Sequence, residues 1–363
     1  MGQEVLKMSQ VDSSIAELAR VLVKREVAQL VKEDDRYPDV AFRESLYRKC
    51  QEVGFLNLLL PESAGGVGET IRTLSEVLYI ISQTDASVAA VILCQAFAHR
   101  VLVRAGAEAL APETGFIATT IYDDPIDLPD TVIATKKGKA YKLDGWLEYT
   151  ALAPQASHYL VPAVLDGERA LFMVNGSSGA SVGEPVLSLG LRSCPMGDLK
   201  LVAAEGKLLA TGSETATVYG GAVGDLRGAV IAIHAGILRG CFEEAKTYAG
   251  DRYQGFRQII DHGQVRAELG RIAATMLVAE ELFRVASQDG GSCSEEACMP
   301  SAAQLLVGEM AVESTTFGIQ ILGGNGYMSD YGQEKRMRDA KQLQGIFGRK
   351  DLVIQDLTQA LAK

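Results

Sequence analysis

The sequence offers little that would hold a metal ion or a disulfide framework. None of its cysteines forms a CxxC pair, their spacing is irregular, and no two histidines lie four residues apart. These absences argue against structural zinc and against a disulfide-stapled secreted fold. We interpret most of the cysteines as small buried hydrophobic residues in a reducing compartment. They are Cys50, Cys94, Cys194, Cys241, Cys293 and Cys298.

Positive charge and long apolar runs are also scarce. The formal net charge is -11, which argues against the basic face that nucleic-acid binding requires, although a local group of Arg and Lys could still receive an anionic ligand. The N-terminal segment from Met1 to Asp12 lacks a basic start followed by an apolar run, so we expect no secretory signal. Uninterrupted apolar runs of about 18 residues are absent, so we expect no membrane span. These features predict a cytoplasmic protein.

The composition is that of an ordinary globular protein, and the pattern of hydrophobic residues changes along the chain. Hydrophobic residues make up 47% and charged residues 22% of the 363 residues, a balance and length typical of two or three packed domains. Helical periodicity occupies both ends of the chain, and short β-rich runs separated by turn residues occupy the middle. We therefore predict an α+β protein with an N-terminal helical domain (residues 1–112), a middle antiparallel β domain (113–215) and a C-terminal four-helix bundle (216–363).

The individual elements follow from the same patterns. Short strands are expected between Phe116 and Val202, in a small antiparallel barrel or sandwich. Asp166-Gly167 and Asn175-Gly176 are typical of hairpin turns, and Gly290-Gly291-Ser292 separates two C-terminal helices. Helices are predicted over Ile15–Lys32, Phe42–Val53, Leu74–Ala107, Asp225–Tyr248, Val265–Ser287, Ala302–Gln320 and Lys350–Leu361.

A glycine cluster, Gly323-Gly324-Asn325-Gly326, follows one of these helices. Its ordinary interpretation is a helix end, because glycine is the usual residue where a helix terminates in the left-handed region. Its functional interpretation is a ligand site, since glycine lets the backbone approach a ligand and exposed amides there can bind pyrophosphate. Composition alone favours the helix end and leaves the ligand site open.

The context of this cluster resembles the C-terminal signature of the acyl-CoA dehydrogenase family. The string IQILGGNGYMSDY and the following Glu334–Lys341 segment match that signature almost residue for residue. Further similarities cover nearly the whole chain and occur in the family's order, with Cys194 at a position where the family has Ser. They are Pro61–Gly68, Asp85-Ala86-Ser87, Tyr141–Gly145, Leu189–Leu199 and Glu244–Arg252.

The resemblance implies the acyl-CoA dehydrogenase fold and an FAD cofactor between the β domain and the bundle, with the ADP half of FAD held by a neighbouring subunit. It also implies α,β-desaturation of an acyl-CoA, with a Glu as base and an electron-transfer flavoprotein as electron acceptor. The positions that match the family's dinucleotide contacts are largely kept, although Gly263 replaces a Gln after His262. They are Arg252, His262, Gln320, Gly323, Gly324 and Gly326.

The positions that the family uses for chemistry are largely changed. Phe347 occupies the place of the usual Glu, and Leu226 occupies the alternative place just before the substrate-side Arg, Arg227. Phe cannot accept a proton, so the standard route is not available to this chain alone. On the flavin side, the stretch Asp123–Asp130 puts Asp123 at a flavin-bonding Thr and Pro129 at a Ser, and Tyr149-Thr150-Ala151 replaces Trp-Ile-Thr. An Asp there would oppose an anionic reduced flavin.

Three hypotheses follow from this pattern of retention and loss. In the first, the chain is one subunit of a hetero-oligomeric acyl-CoA dehydrogenase and lends its ADP-binding half to a catalytic partner; the resemblance favours a bulky acyl-CoA. In the second, it is a divergent flavoenzyme with a displaced base, for which Asp225 and Asp351 are weak candidates. In the third, it is a scaffold or binding protein without FAD.

Overall fold

The computed structural model describes residues 10–36, 42–123, 127–138, 140–287, 294–348 and 350–361. The predictions for Gly290-Gly291-Ser292 and Cys293 lie outside these residues, as do those for Asp124–Ile126 in the flavin-side stretch.

The N-terminal part is helical, as the periodicity predicts, but its long apolar run is divided. The predicted helix Leu74–Ala107 is wrong as one element, because the chain forms α4 and α5 on either side of Asp85. The Asp85 carboxylate accepts the N–H of Ser87 at 2.8 Å and so caps the second helix. The helices are α1 (Gln10–Leu22), α2 (Ala28–Asp34, after a π-helical turn), α3 (Glu44–Glu52), α4 (Ile71–Ser82) and α5 (Ala86–Arg104).

The middle part is a barrel with its own hydrophobic core. The ladder β4-β2-β3-β7-β5 closes because β4 also pairs with β5. Most pairings are antiparallel, as predicted, but β1–β4 and β2–β4 are parallel and the sequence did not indicate them. The strands are β1 (Phe116–Ala118), β2 (Val132–Lys137), β3 (Ala140–Ala151), β4 (Ala156–Leu165), β5 (Glu168–Asn175), β6 (Ala180–Val182) and β7 (Met196–Thr211).

The two predicted hairpin turns have different outcomes. Asp166 and Gly167 both have positive φ (52° and 85°) and join β4 to β5 as a two-residue hairpin, so this prediction is confirmed. Asn175-Gly176 begins a turn, in which the Asn175 carbonyl accepts the N–H of Ser178 at 3.1 Å. The hairpin predicted there is wrong, because the following strand β6 pairs with β7.

The C-terminal part is built around α6, whose residues are largely buried. It packs against α7 and α8 on one side and against α4 and α5 on the other, while α10 packs on α8. A small hairpin, β8–β9, connects α6 to α7. The elements are α6 (Ser213–Asp251), β8 (Tyr253–Gln254), β9 (Arg257–Gln258), α7 (Gly263–Ala286), α8 (Ser294–Leu322), α9 (Gln333–Leu343) and α10 (Lys350–Leu361).

Among the described residues, three helical segments are long and apolar enough to cross a membrane by length and composition alone, and the expectation of no membrane span stays a prediction. They are Ala86–Arg104, Ser213–Asp251 and Cys298–Tyr327. The most apolar windows of the first two are 89% and 83% buried inside the fold, and that of the third is 50% buried. Burial in the protein core therefore accounts for the apolar character of the first two.

Candidate active site

Phe347, at the position where the resemblance expects a catalytic Glu, is a core residue. It follows α9, has φ of +65° and is 0% exposed. Its N–H donates to the carbonyl of Ile121 at 2.9 Å, and its ring centroid lies 5.3 Å from that of Phe97, which in turn lies 5.1 Å from that of Tyr219. The place of the base is thus filled by a packed aromatic cluster (Phe97, Tyr219 and Phe347).

The second base position is equally closed. Leu226 is 0% exposed and belongs to the same hydrophobic core as Phe347. The neighbouring Arg227 is buried, and its Nη1 donates to Oε1 of Gln304 at 2.9 Å. Nε2 of Gln304 donates to the carbonyl of Ile346 at 2.9 Å, so Arg227 is connected to the segment that carries Phe347. A cavity next to this segment, lined in part by Gln304, has a volume of about 60 Å³, far below that of an ordinary ligand pocket.

The two alternative carboxylates have ordinary structural surroundings. Asp225 accepts bonds from Arg100 at 2.5 Å and from both Nε and Nη2 of Arg104 at 2.8 Å, and it raises the pKa of Arg104. A carboxylate held by two guanidinium groups is poorly disposed to remove a proton from carbon. Asp351 is exposed in the first turn of α10, where an acid is favoured by the helix dipole.

Asp123 lies on the side where the resemblance places the flavin ring. It is largely buried, and this burial, with a smaller contribution from Asp127, raises the pKa of its carboxyl to about 6. Pro129 is partly buried and Tyr149 is exposed with φ of +50°. A charged carboxylate is a poor neighbour for a reduced, anionic flavin ring, so the Asp123 side chain does not fit the role of the flavin-bonding Thr.

Thr119 is a residue that sequence reasoning missed. Its backbone and that of Ala151 exchange N–H···O bonds at 2.9 and 3.1 Å, so Thr119, rather than Asp123, lies directly opposite the aligned triplet Tyr149-Thr150-Ala151. The hydroxyls of Thr119 and Thr150 are buried without a hydrogen-bond partner among the described residues. The Thr119-Thr120 pair just after a β-rich run was the only available signal, and the bridge to Ala151 was needed to interpret it.

The predicted nucleotide-facing residues have the opposite character, since the fold brings several of them together near the surface. Tyr248 links two of the segments: its carbonyl accepts the N–H of Arg252 at 2.9 Å, and its hydroxyl accepts Nδ2 of Asn325 at 3.1 Å. Arg252, at the end of α6, is exposed, and so is Gln320 in the last turn of α8. Tyr248 therefore ties the helix end that carries Arg252 to the glycine-rich turn, and a guanidinium and a glycine-rich turn are groups that can bind pyrophosphate.

The three glycines of this turn differ in what glycine does for the structure at each position. Gly323 has φ of +58°, which ends α8 in the left-handed region. A Cβ on Gly326 would lie 2.2 Å from the carbonyl oxygen of Ile319, so close packing within the chain requires glycine there. A Cβ on exposed Gly324 would meet no atom within 4 Å, so packing within this chain gives no reason for glycine at that position.

The β8–β9 hairpin adds an aromatic residue that sequence reasoning also missed. Gly255 and Phe256 form its turn with φ of +64° and +63°, and Phe256 is 96% exposed. His262 supports the hairpin, because its Nε2 lies 3.0 Å from the carbonyl of Gln254 and a Cβ added at Gly255 would lie 3.2 Å from its ring. His262, which is predicted to contact a ligand, thus also holds the β8–β9 hairpin in position. An exposed aromatic side chain on a strained turn is costly unless something covers it.

A buried ion network fixes the segment that precedes Phe347. Lys335 of α9 donates to Asp85 at 2.9 Å and to Asp339 at 2.5 Å, and these two carboxylates raise its pKa against the opposing effect of burial. Asp339 also accepts the N–H of Leu191 at 2.7 Å. The start of α5, the loop before β7 and α9 are therefore tied together around one cation.

No cluster of three or more metal-ligating side chains occurs in the part of the chain that the structure describes. Arg252, Gln320 and Phe256 are exposed, whereas Phe347 and Leu226, at the two base positions, are fully buried.

Comparison with known proteins finds relatives of this chain and structures with a similar fold. Cyclohex-1-ene-1-carbonyl-CoA dehydrogenase of Syntrophus aciditrophicus is 26% identical over 91% of this chain and 84% of its own length, and cyclohexane-1-carbonyl-CoA dehydrogenase of the same organism is 26% identical over 90% of both. The fold is similar to that of butyryl-CoA dehydrogenase from Megasphaera elsdenii, with a TM-score of 0.88, 19% identity and coverage of 98% and 99%.

A chain in the structure of the electron transferring flavoprotein of Acidaminococcus fermentans is also similar, with a TM-score of 0.86, 21% identity and coverage of 97% of this chain and 98% of that one. Residues 9–113 match the model of the acyl-CoA dehydrogenase N-terminal domain, and residues 217–362 match that of the acyl-CoA dehydrogenase C-terminal domain. The chain belongs to the acyl-CoA dehydrogenase family.

Proposed function

We propose that this chain is one subunit of a hetero-oligomeric, FAD-dependent acyl-CoA dehydrogenase and contributes the ADP-binding half of a site whose reactive half lies in a second subunit. The observation that carries the proposal is Phe347, which fills the place of the base and packs into the core with Phe97. A buried side chain with no proton acceptor cannot start α,β-desaturation.

The surface around Gly324 supports the other half of the proposal. Arg252 would bind the pyrophosphate, Gln320 and the amides of the glycine turn would bind polar edges of the nucleotide, and Phe256 would cover it. Bound FAD supplies the acceptor for the substrate hydride. The residues of this chain hold and orient the nucleotide, and they take no part in moving the proton.

The partner subunit would carry the Glu base and bind the acyl-CoA, and the electrons would leave to an electron-transfer flavoprotein. The relatives named for cyclic acyl-CoA thioesters favour a bulky or cyclic acyl group. We place the complex in the cytoplasm, since the described cysteines are all free thiols.

Co-expression tests this function. The chain alone should purify without yellow colour, and co-expression with a second dehydrogenase subunit that carries the Glu should give a yellow complex that an acyl-CoA reduces. Arg252→Ala in this chain should lower the FAD affinity of that complex by about tenfold, because a charge-assisted contact to pyrophosphate is lost. Arg266→Ala removes another exposed Arg of the same region, one paired with Asp261, and should leave FAD binding unchanged.

Two results would redirect the assignment. A yellow chain that is reduced by an acyl-CoA without any partner would support the divergent flavoenzyme, in which Asp225 or Asp351 acts as base. A colourless oligomer that neither binds FAD nor changes in the presence of a second subunit would support a scaffold or binding protein.

A further inference from the structure

The outer face of the barrel carries the chain's single tryptophan on an open sheet surface. Trp146 of β3 is 55% exposed and lies directly across from Lys200 of β7, which in turn lies across from Ser181 of β6. Val202 of β7 and Ile133 of β2, on the same exposed face, are 58% and 52% exposed. Solvent-facing strands ordinarily carry polar residues, so this exposed apolar group marks a contact surface.

Carboxylates surround Trp146. Asp144 and Glu148 flank it at alternate positions on β3, and Asp198 lies on the neighbouring β7; all three are exposed. The register between β3 and β7 shifts between Leu147 and Thr150, which places Glu148 beside Asp198. Acidic side chains next to each other on one face repel. The positively charged residue directly across from Trp146 is Lys200. The surface therefore favours an approaching positive charge.

A groove beside Trp146 gives this charge a place to bind. Its volume is about 520 Å³, and its lining includes Trp146, Ser181, Asp198 and Lys200. Gly183 lies at one edge and contributes no side chain. Asp198 is oriented, because its Oδ1 accepts the N–H of Tyr149 at 3.1 Å. The groove thus combines an aromatic face with a fixed carboxylate.

We propose that this groove docks an arginine side chain presented by the surface of a partner protein. The guanidinium would stack on the Trp146 ring and donate to the carboxylates of Glu148 and Asp198, while Val202 and Ile133 would pack against apolar atoms around it. A planar guanidinium suits both a ring face and paired carboxylates, whereas a lysine ammonium suits neither as well. This contact does not depend on nucleotide sharing at Gly324.

Because Trp146 is the only tryptophan of the chain, its fluorescence reports on the groove alone. Titration of the full-length chain with a hexa-arginine peptide should change the emission saturably, bind several-fold more tightly than hexa-lysine, and weaken with added salt. The double variant Glu148→Gln/Asp198→Asn should bind about tenfold more weakly, since it keeps shape and acceptors but removes both charges. Lys200→Gln should bind more tightly, because a competing cation is removed.

Glu205→Gln is the matched control. Glu205 is also an exposed carboxylate of β7, but it pairs with Lys142 outside the groove, so this variant should bind the peptide as the parent chain does. Equal weakening by Glu205→Gln and by the double variant would show attraction to overall negative charge and would overturn the proposal. An unchanged Trp146 emission in the presence of hexa-arginine, or equal affinity for hexa-lysine, would also overturn it.

Discussion

The two halves of the family's site have diverged in opposite directions in this chain. Around Phe347 the interior is packed and mostly apolar, Phe347 itself has no proton acceptor, and Asp225 is held by two arginines. Around Gly324 the surface is open, with Arg252 and Gln320 exposed and Phe256 almost completely so. The first region therefore contributes to the stability of this chain, whereas we propose that the second serves a ligand or partner outside it.

The largest effect on the free energy of unfolding is expected in the region around Phe347. Phe347→Ala should lower the free energy of unfolding by about 3–5 kcal/mol, because it removes a fully buried ring from the aromatic cluster. Urea unfolding measures this. Phe256→Ala is the matched control, since the same change at a 96% exposed ring should cost little stability. A small effect of Phe347→Ala would show that the region is loosely packed and could admit a ligand.

In the glycine turn, substitutions at two nearby positions test packing and nucleotide binding separately. Gly326→Ala should lower stability by about 1–3 kcal/mol, because its Cβ would collide with the carbonyl of Ile319. Gly324→Ala should change stability by less than about 0.5 kcal/mol yet weaken FAD binding in the co-expressed complex. If Gly324→Ala leaves FAD binding intact, the openness of this turn does not serve the nucleotide.

Asp123, on the same side as Phe347, should make the free energy of unfolding depend on pH. Its folded pKa, about 6, exceeds the value near 4 of an unfolded Asp, so the folded state binds the proton more tightly and stability falls as the pH rises from about 4 to about 6. Asp123→Asn should be more stable than the parent by roughly 2 kcal/mol at pH 8 and about equal to it at pH 4. Equal stability of the two proteins at both pH values would contradict a buried Asp123.

Only a modest effect on stability, and almost none on turnover, is expected at Asp225. Asp225→Asn should leave the turnover of the co-expressed complex within about twofold and lower stability by on the order of 1 kcal/mol, since it weakens a partly exposed ion pair with Arg100 and Arg104. Steady-state kinetics with an acyl-CoA decides this. A loss of turnover of about a hundredfold or more would identify Asp225 as a displaced base and erase the contrast between the two regions.

The sequence predicted the fold where local patterns sufficed. The helix, strand and helix order followed from periodicity, and the turn at Asp166-Gly167 followed from its residue types. The break at Asp85 was missed, because the polar residues 82–85 are a short interruption between two long apolar runs and were included in one predicted helix. The parallel pairings of β4 were missed because they join segments distant in sequence, which carry no local signal.

The candidate site was predictable only in part for the same reason. Phe347 and Leu226 were identified by position, yet whether they left an open or a filled site depended on Phe97 and Tyr219 from other helices. Asp123 was placed at the flavin contact by counting residues, whereas the bridge between Thr119 and Ala151 favours Thr119. Phe256 was overlooked, since an aromatic residue is ordinarily expected in a core.

The sequence by itself determined the family, the order of the elements and the absence of a Glu at Phe347 and Leu226, because these depend on residue identity along the chain. Only the tertiary structure decided that Gly326 serves packing while Gly324 faces open space, and that Asp225 is engaged by two arginines. Such distinctions depend on which atoms meet in space. Asp225 meets arginines from a helix distant in sequence, and Gly326 meets the carbonyl of Ile319 because the chain turns back there.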